Sequence, residues 1–124
     1  MTQKELKQYE DLDDKFQTRC EVIRQMLIPI HESYNYLNTF ELDGDKIWGS
    51  GEKYYGDGEC EGHVHSFPKE FIYSSDEKIQ KYVDEKLEEQ RKLNEERAHK
   101  AREKQEANDR ALYEKLKEKF EKNL

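Results

Sequence analysis

The residues best suited to chemistry stand together at Cys60-x-x-His63-x-His65, with Glu59 and Glu61 beside them. Thiolate and imidazole are the ligands zinc favours, normally four in tetrahedral array. Strand geometry argues against a single ion here. Side chains alternate along a strand, so Glu61, His63, His65 and Phe67 share one face while Cys60 and Val64 take the other. His31 and His99 lie in other elements, so no metal is assigned. The same histidines suit a second chemistry. A three-residue turn at Gly56-Asp57-Gly58 sets His63 against Gly51 and His65 against Gly49. Glycine opposite a large side chain leaves a shallow trough, and glycine in a strand often marks close approach of a ligand or another backbone. Lys53 and Tyr55 fall on the same face, and Trp48 edges it from the strand's other side. The candidate binding residues are therefore Trp48, Lys53, Tyr55, His63 and His65, suited to an anion, a nucleotide or an acidic protein surface. Valine at Gly49 or Gly51 is expected to fill the trough and block binding while the helices stay folded. No Ser/His/Asp or Cys/His nucleophile pattern accompanies these residues, and Gly49-Ser50-Gly51 lacks the Gly-Lys-Ser/Thr ending of a phosphate loop. No catalytic residue and no cofactor are expected, and the chain reads as a non-enzyme.

The elements that must position these residues can be read from periodicity. Residues 38–73 form an antiparallel meander. Thr39-Phe40-Glu41-Leu42 alternates, and Asp43-Gly44 is a two-residue hairpin turn, since glycine tolerates positive φ. That turn sets Phe40 against Ile47 and Glu41 against Lys46. The second strand runs from Lys46 to Tyr54 and the third from Glu59 to Phe67, where Pro68 removes a ladder donor. Ahead of the meander, residues 1–37 are helical. Leu6, Tyr9, Phe16, Cys20, Ile23, Leu27, Ile30, Tyr34 and Leu37 follow three- and four-residue steps, a heptad-like seam broken at Asp13. Pro29 ends or kinks the helix near Ile28 and suits the first turn of a second short helical piece. After the meander, residues 74–124 read as one long charged helix. Ser74-x-x-Glu77 fits a capping box, and neither Pro nor Gly follows. Glu77–Lys81, Glu88–Lys92, Glu96–Lys100, Glu106–Arg110 and Glu118–Lys122 are acid-before-base pairs, each worth about 0.2–0.5 kcal/mol to a helix. The fold class expected is α+β, a small three-stranded meander flanked by an N-terminal helix and a long C-terminal one.

Composition narrows the function classes. Apolar residues make up 33% and charged residues 41% of the 124-residue chain, which leaves material for only a small core. The net charge of −7 works against general nucleic-acid binding, which requires cations at phosphates. No apolar run approaches the ~18 residues of a membrane span, and MTQKELKQYEDLDD has no apolar region of a signal peptide. Reduced Cys20 and Cys60 in a cytoplasmic setting follow. The broad stripe of the first helix exceeds what a small sheet covers, which points to a homo-oligomer, most simply a dimer.

The run Leu42-Asp43-Gly44-Asp45-Lys46-Ile47-Trp48, then Tyr54-Tyr55-Gly56, then Ser66-Phe67-Pro68, then a charged helix, resembles small acidic proteins encoded by bacteriophages. The likeness covers about the central third of the chain and the start of the helix, and it carries no site residues with it. It implies a context: short acidic products of the host-cell cytoplasm that bind host or defence proteins. The function expected is a non-catalytic binding protein, an inhibitor of a host or anti-phage defence protein in the manner of anti-CRISPR or other anti-defence factors. The alternative is a small-ligand or metal-binding module built on His63 and His65.

Overall fold

Thr2 opens helix α1 (Gln3–Leu27) by accepting from the Glu5 N–H at 3.1 Å, while Glu5 accepts from the Thr2 N–H, a reciprocal capping box. The computed structural model describes residues 1–123. After α1 the chain turns at Pro29 and enters a short 3₁₀ segment, Glu32–Asn35. The second helical piece thus starts later than Pro29, where the His31 ring accepts from the Ser33 N–H at 3.1 Å and so caps it. Strands β1 (Thr39–Asp43), β2 (Lys46–Tyr54) and β3 (Cys60–Pro68) follow as an antiparallel sheet in the order β1-β2-β3. A second 3₁₀ segment, Lys69–Ile72, leads into helix α2 (Asp76–Lys122). The α+β class and the meander stand as expected. The cap of α2 does not, because Ser75 accepts from the Lys78 N–H at 3.2 Å, whereas the Ser74 hydroxyl donates to the Glu70 carbonyl.

The first hairpin departs from the expected register. Asp43 pairs with Lys46, Glu41 with Trp48 and Phe40 with Gly49, two residues from the expected partners. The turn residues are Gly44 and Asp45, and only Gly44 has positive φ, at 64°. That is the requirement of a II′ turn; a I′ turn needs positive φ at both central positions. The register also lays the Phe40 ring over Gly49, where a Cβ would come within 2.9 Å of Phe40 Cε1. A slip of two leaves the faces unchanged, so the alternation of apolar and polar side chains survives.

One face of the sheet carries the core. Ile47, Phe40 and Phe67 meet Cys20, Ile23 and Leu27 of α1, Tyr34 and Leu37 after it, and Ile79 and Val83 from the start of α2. Gln17 and Arg19 fasten the layers. The Gln17 amide accepts from the Phe40 N–H at 3.2 Å and donates to its carbonyl at 2.9 Å, standing in for a neighbouring strand along β1. Arg19 donates to the carbonyls of Phe71, Ile72 and Ser74 and to the Asp76 carboxylate at 2.6 Å, tying α1 to the entry of α2.

The chain divides into two units, Met1–Leu87 and Glu88–Leu124, so packing places the division inside α2 instead of at an element boundary. The stripe of α1 is shared out within the first unit. Cys20, Ile23 and Leu27 are buried there, whereas Leu6, Tyr9 and Leu12 are exposed. In the second unit every described side chain is exposed, and polar pairs along the helix support it. Glu96 pairs with Lys100 at 3.0 Å as expected, while Glu88 turns to Arg91 at 2.6 Å and His99 to Glu103 at 2.8 Å. No helix among the described residues is long and apolar enough to cross a membrane.

Candidate functional site

The register between β2 and β3 is the one the three-residue turn requires. Gly51 pairs with His63 and Gly49 with His65. The space over the glycines is nevertheless occupied by the chain itself. A Cβ on Gly51 would stand 1.6 Å from the Tyr36 carbonyl oxygen, and one on Gly49 would stand 2.8 Å from Leu37 Cδ1. The segment after α1 crosses the sheet here. Glycine is needed for the close approach of a backbone, and that backbone is the protein's own. The expected ligand trough is therefore filled.

His63 lies beneath this segment with 8% of its surface exposed. Its Nδ1 hydrogen-bonds Ser33 Oγ at 3.0 Å, and its ring stacks on Tyr36 with centroids 4.5 Å apart. Its Nε2 is buried without a hydrogen-bond partner among the described residues, and the nearest carboxylate oxygen, Glu61 Oε1, is 3.9 Å away. His65 belongs to a different cluster, packed on the rings of Tyr34 and His31 at 4.4 and 4.9 Å, with Nδ1 accepting from the Ser66 N–H. Lys53 and Tyr55 join His63's surroundings. The Lys53 ammonium stands 5.4 Å from the Tyr36 ring centroid and 5.1 Å from that of Tyr55. The Tyr55 hydroxyl donates to Glu61 at 2.6 Å, which holds that carboxyl below its usual range and pushes the phenol up. The Tyr36 hydroxyl, and secondarily Tyr55, raises the Lys53 ammonium. Lys53, Tyr55 and His63 thus come together, His65 lies apart from them, and Trp48 stands on the opposite face. Tyr36 and Ser33 complete the cluster from a segment whose approach to the sheet no local pattern announced.

Cys60 is on the opposite face from the histidines, as alternation demands, and both cysteines are free. Among the described residues no group of three or more His, Cys, Asp or Glu side chains is placed to hold a metal ion.

The outer face of the sheet differs in kind. Its rows read Glu41–Trp48–Ser66, Thr39–Ser50–Val64, Glu52–Gly62 and Tyr54–Cys60. Trp48 is 41%, Val64 61% and Tyr54 75% exposed. A shallow depression of about 410 Å³ opens over Ser50, Glu52, Tyr54, Gly62 and Val64. Nothing lies within 4 Å of where a Gly62 Cβ would be, so this glycine does leave open space. The Tyr54 hydroxyl donates to Glu52 at 2.7 Å, which raises the phenol's pKa. Compared with family models, curated proteins and solved structures, the chain matches none.

Proposed function

We propose that this chain is a non-catalytic binding protein whose recognition surface is the outer face of the sheet. The carrying observation is that Trp48, Tyr54 and Val64 are exposed on one face, while the opposite face is packed into the core. Aromatic side chains supply much of the energy of protein interfaces. The charges beside them, Glu41, Asp43 and Glu52 against Lys46, favour a partner presenting Arg or Lys. A guanidinium seated on Trp48 or Tyr54 gains a cation–π contact, with the carboxylates as its counter-ions. An inhibitor of a host or anti-phage defence protein, acting in the host cytoplasm, is the form of this reading that the phage resemblance supports. Binding of a small anion at His63 and His65 has less support, because the space beside them is taken.

A pull-down from bacterial lysate tests the proposal. A specific protein should be retained by the parent chain and lost with Trp48→Ala/Tyr54→Ala, whose circular dichroism should be unchanged. Trp48 is the single tryptophan, so its emission should shift when the purified partner is added. A partner kept by the double variant but lost by His63→Ala/His65→Ala would return the site to the inner face.

A further inference from the structure

We infer that the open edge of β3 is a self-association surface, pairing antiparallel with β3 of a second copy about a two-fold axis at Gly62. β1 and β3 are the outer strands of the sheet. The β1 edge is occupied at Phe40 by the Gln17 amide. On β3, the Tyr55 N–H donates to the Glu59 carbonyl at 2.8 Å, which fixes which residues face β2. In an antiparallel ladder these alternate. Glu59, Glu61, His63 and His65 direct their backbone groups toward β2, and Cys60, Gly62, Val64 and Ser66 direct theirs outward. Ser66 confirms the phase, since its outward carbonyl accepts from the Tyr34 hydroxyl at 2.7 Å and its N–H donates to the His65 ring. Among the described residues, none hydrogen-bonds the outward groups of Gly62 or Val64. A free edge of this kind is a template for another strand.

Charge and sterics select the second copy and its register. With the two-fold axis at Gly62, Glu61 opposes His63 of the other copy and Glu59 opposes its His65. No carboxylate then faces a carboxylate across the axis, in pairs of the closer, non-hydrogen-bonded type, and His63 keeps its own bond to Ser33. Cys60 opposes Val64 on the outer face. An axis at Cys60 would set Glu59 against Glu61. An axis at Val64 would set His63 against His65 and would require Ser66, whose edge is already capped. Nothing lies within 4 Å of the Gly62 Cβ position, so the outer face is open where the two copies would meet on the axis. The consequence for binding is one of area. Strands about 4.8 Å apart and nine residues at about 3.3 Å make one outer face roughly 400 Å², about half of what a standard interface takes from each partner. Two joined sheets double it. The pairing itself does not rest on the proposed function.

Light scattering and cross-linking test the inference. The parent protein at micromolar concentration should have twice the 15.0 kDa mass of the chain. Gly62→Pro removes an outward N–H that makes no bond within the chain, so it should yield a monomer with native circular dichroism. Gly62→Cys in a Cys60→Ser background should oxidise to a disulfide-linked dimer, because residues opposed in a hydrogen-bonded pair stand about 5.5 Å apart at Cα, within disulfide range. A monomeric parent protein overturns the inference, as does a dimer that Gly62→Pro leaves intact. If Gly62→Pro does not fold, failure of Gly62→Cys to cross-link overturns it, and efficient cross-linking of Val64→Cys instead overturns the register.

Discussion

Replacing Gly51 with alanine separates a glycine that clears space for a ligand from one that admits the protein's own backbone. A Cβ at Gly51 would meet the Tyr36 carbonyl oxygen at 1.6 Å, a distance no side-chain adjustment relieves. The segment after α1 must lift. It is held by Tyr34 on Ser66 at 2.7 Å, by Ser33 on His63 at 3.0 Å and by Arg24 on the Tyr34 carbonyl at 2.8 Å, with Leu37 buried beneath it. Partial loss of Leu37's burial costs about 1–2 kcal/mol. Each weakened hydrogen bond costs about 1 kcal/mol. A penalty of about 4–5 kcal/mol results, which for a unit the size of Met1–Leu87 lowers Tm by roughly 16–40 °C. Gly56→Ala is the matched control, because nothing lies within 4 Å of its Cβ and it should fall within about 0.5 kcal/mol of the parent. Urea unfolding followed by Trp48 emission and far-ultraviolet circular dichroism reads both. A Gly51→Ala protein within about 1 kcal/mol of the parent would refute the close approach and restore the trough as a place for a ligand.

Alkaline pH should destabilise the fold through two buried groups. Burial pushes the Cys20 thiol from 9.0 up to about 12 and raises the Tyr34 hydroxyl from 10.0. Both folded-state values are raised, so their stabilising contribution is complete below pH 9 and is lost as pH climbs from 9 toward 12, at up to about 1.4 kcal/mol per unit for each group. Thermal melts between pH 8 and 11 should show Tm falling, and a flat profile would contradict the burial of both groups. The native protein should titrate one thiol with a disulfide reagent, exposed Cys60, and two once unfolded; rapid native labelling of both would place Cys20 outside the core. Gln17→Leu removes the amide that pairs with both polar groups of Phe40 and should cost about 1–3 kcal/mol. Arg19→Lys retains the charge but not the fork that reaches three carbonyls and Asp76, so it should lose about 2 kcal/mol in the same urea assay, and full stability would show those bonds to be dispensable.

Much of the fold is legible in local pattern. Period-two alternation and glycine turns mark β2 and β3 and fix which side chains share a face, because a strand's geometry repeats every two residues. The charged tract without Pro or Gly specifies α2, whereas the Thr2-x-x-Glu5 box at the start of α1 emerged only with the structure. The first hairpin was harder. Asp43, Gly44 and Asp45 suit either of two turns, and the choice fell to the Phe40 ring needing the room above Gly49. The candidate site depended on tertiary structure still more. Sequence placed Lys53, Tyr55, His63 and His65 on one face correctly, but not what covers that face. Tyr36, Leu37 and Ser33 reach it from before the sheet, filling the space over the glycines, burying His63 and leaving Trp48 and Tyr54 exposed opposite. Periodicity records which way a side chain points; which distant segment crosses over it is decided by packing across the whole core, and no local spacing encodes that.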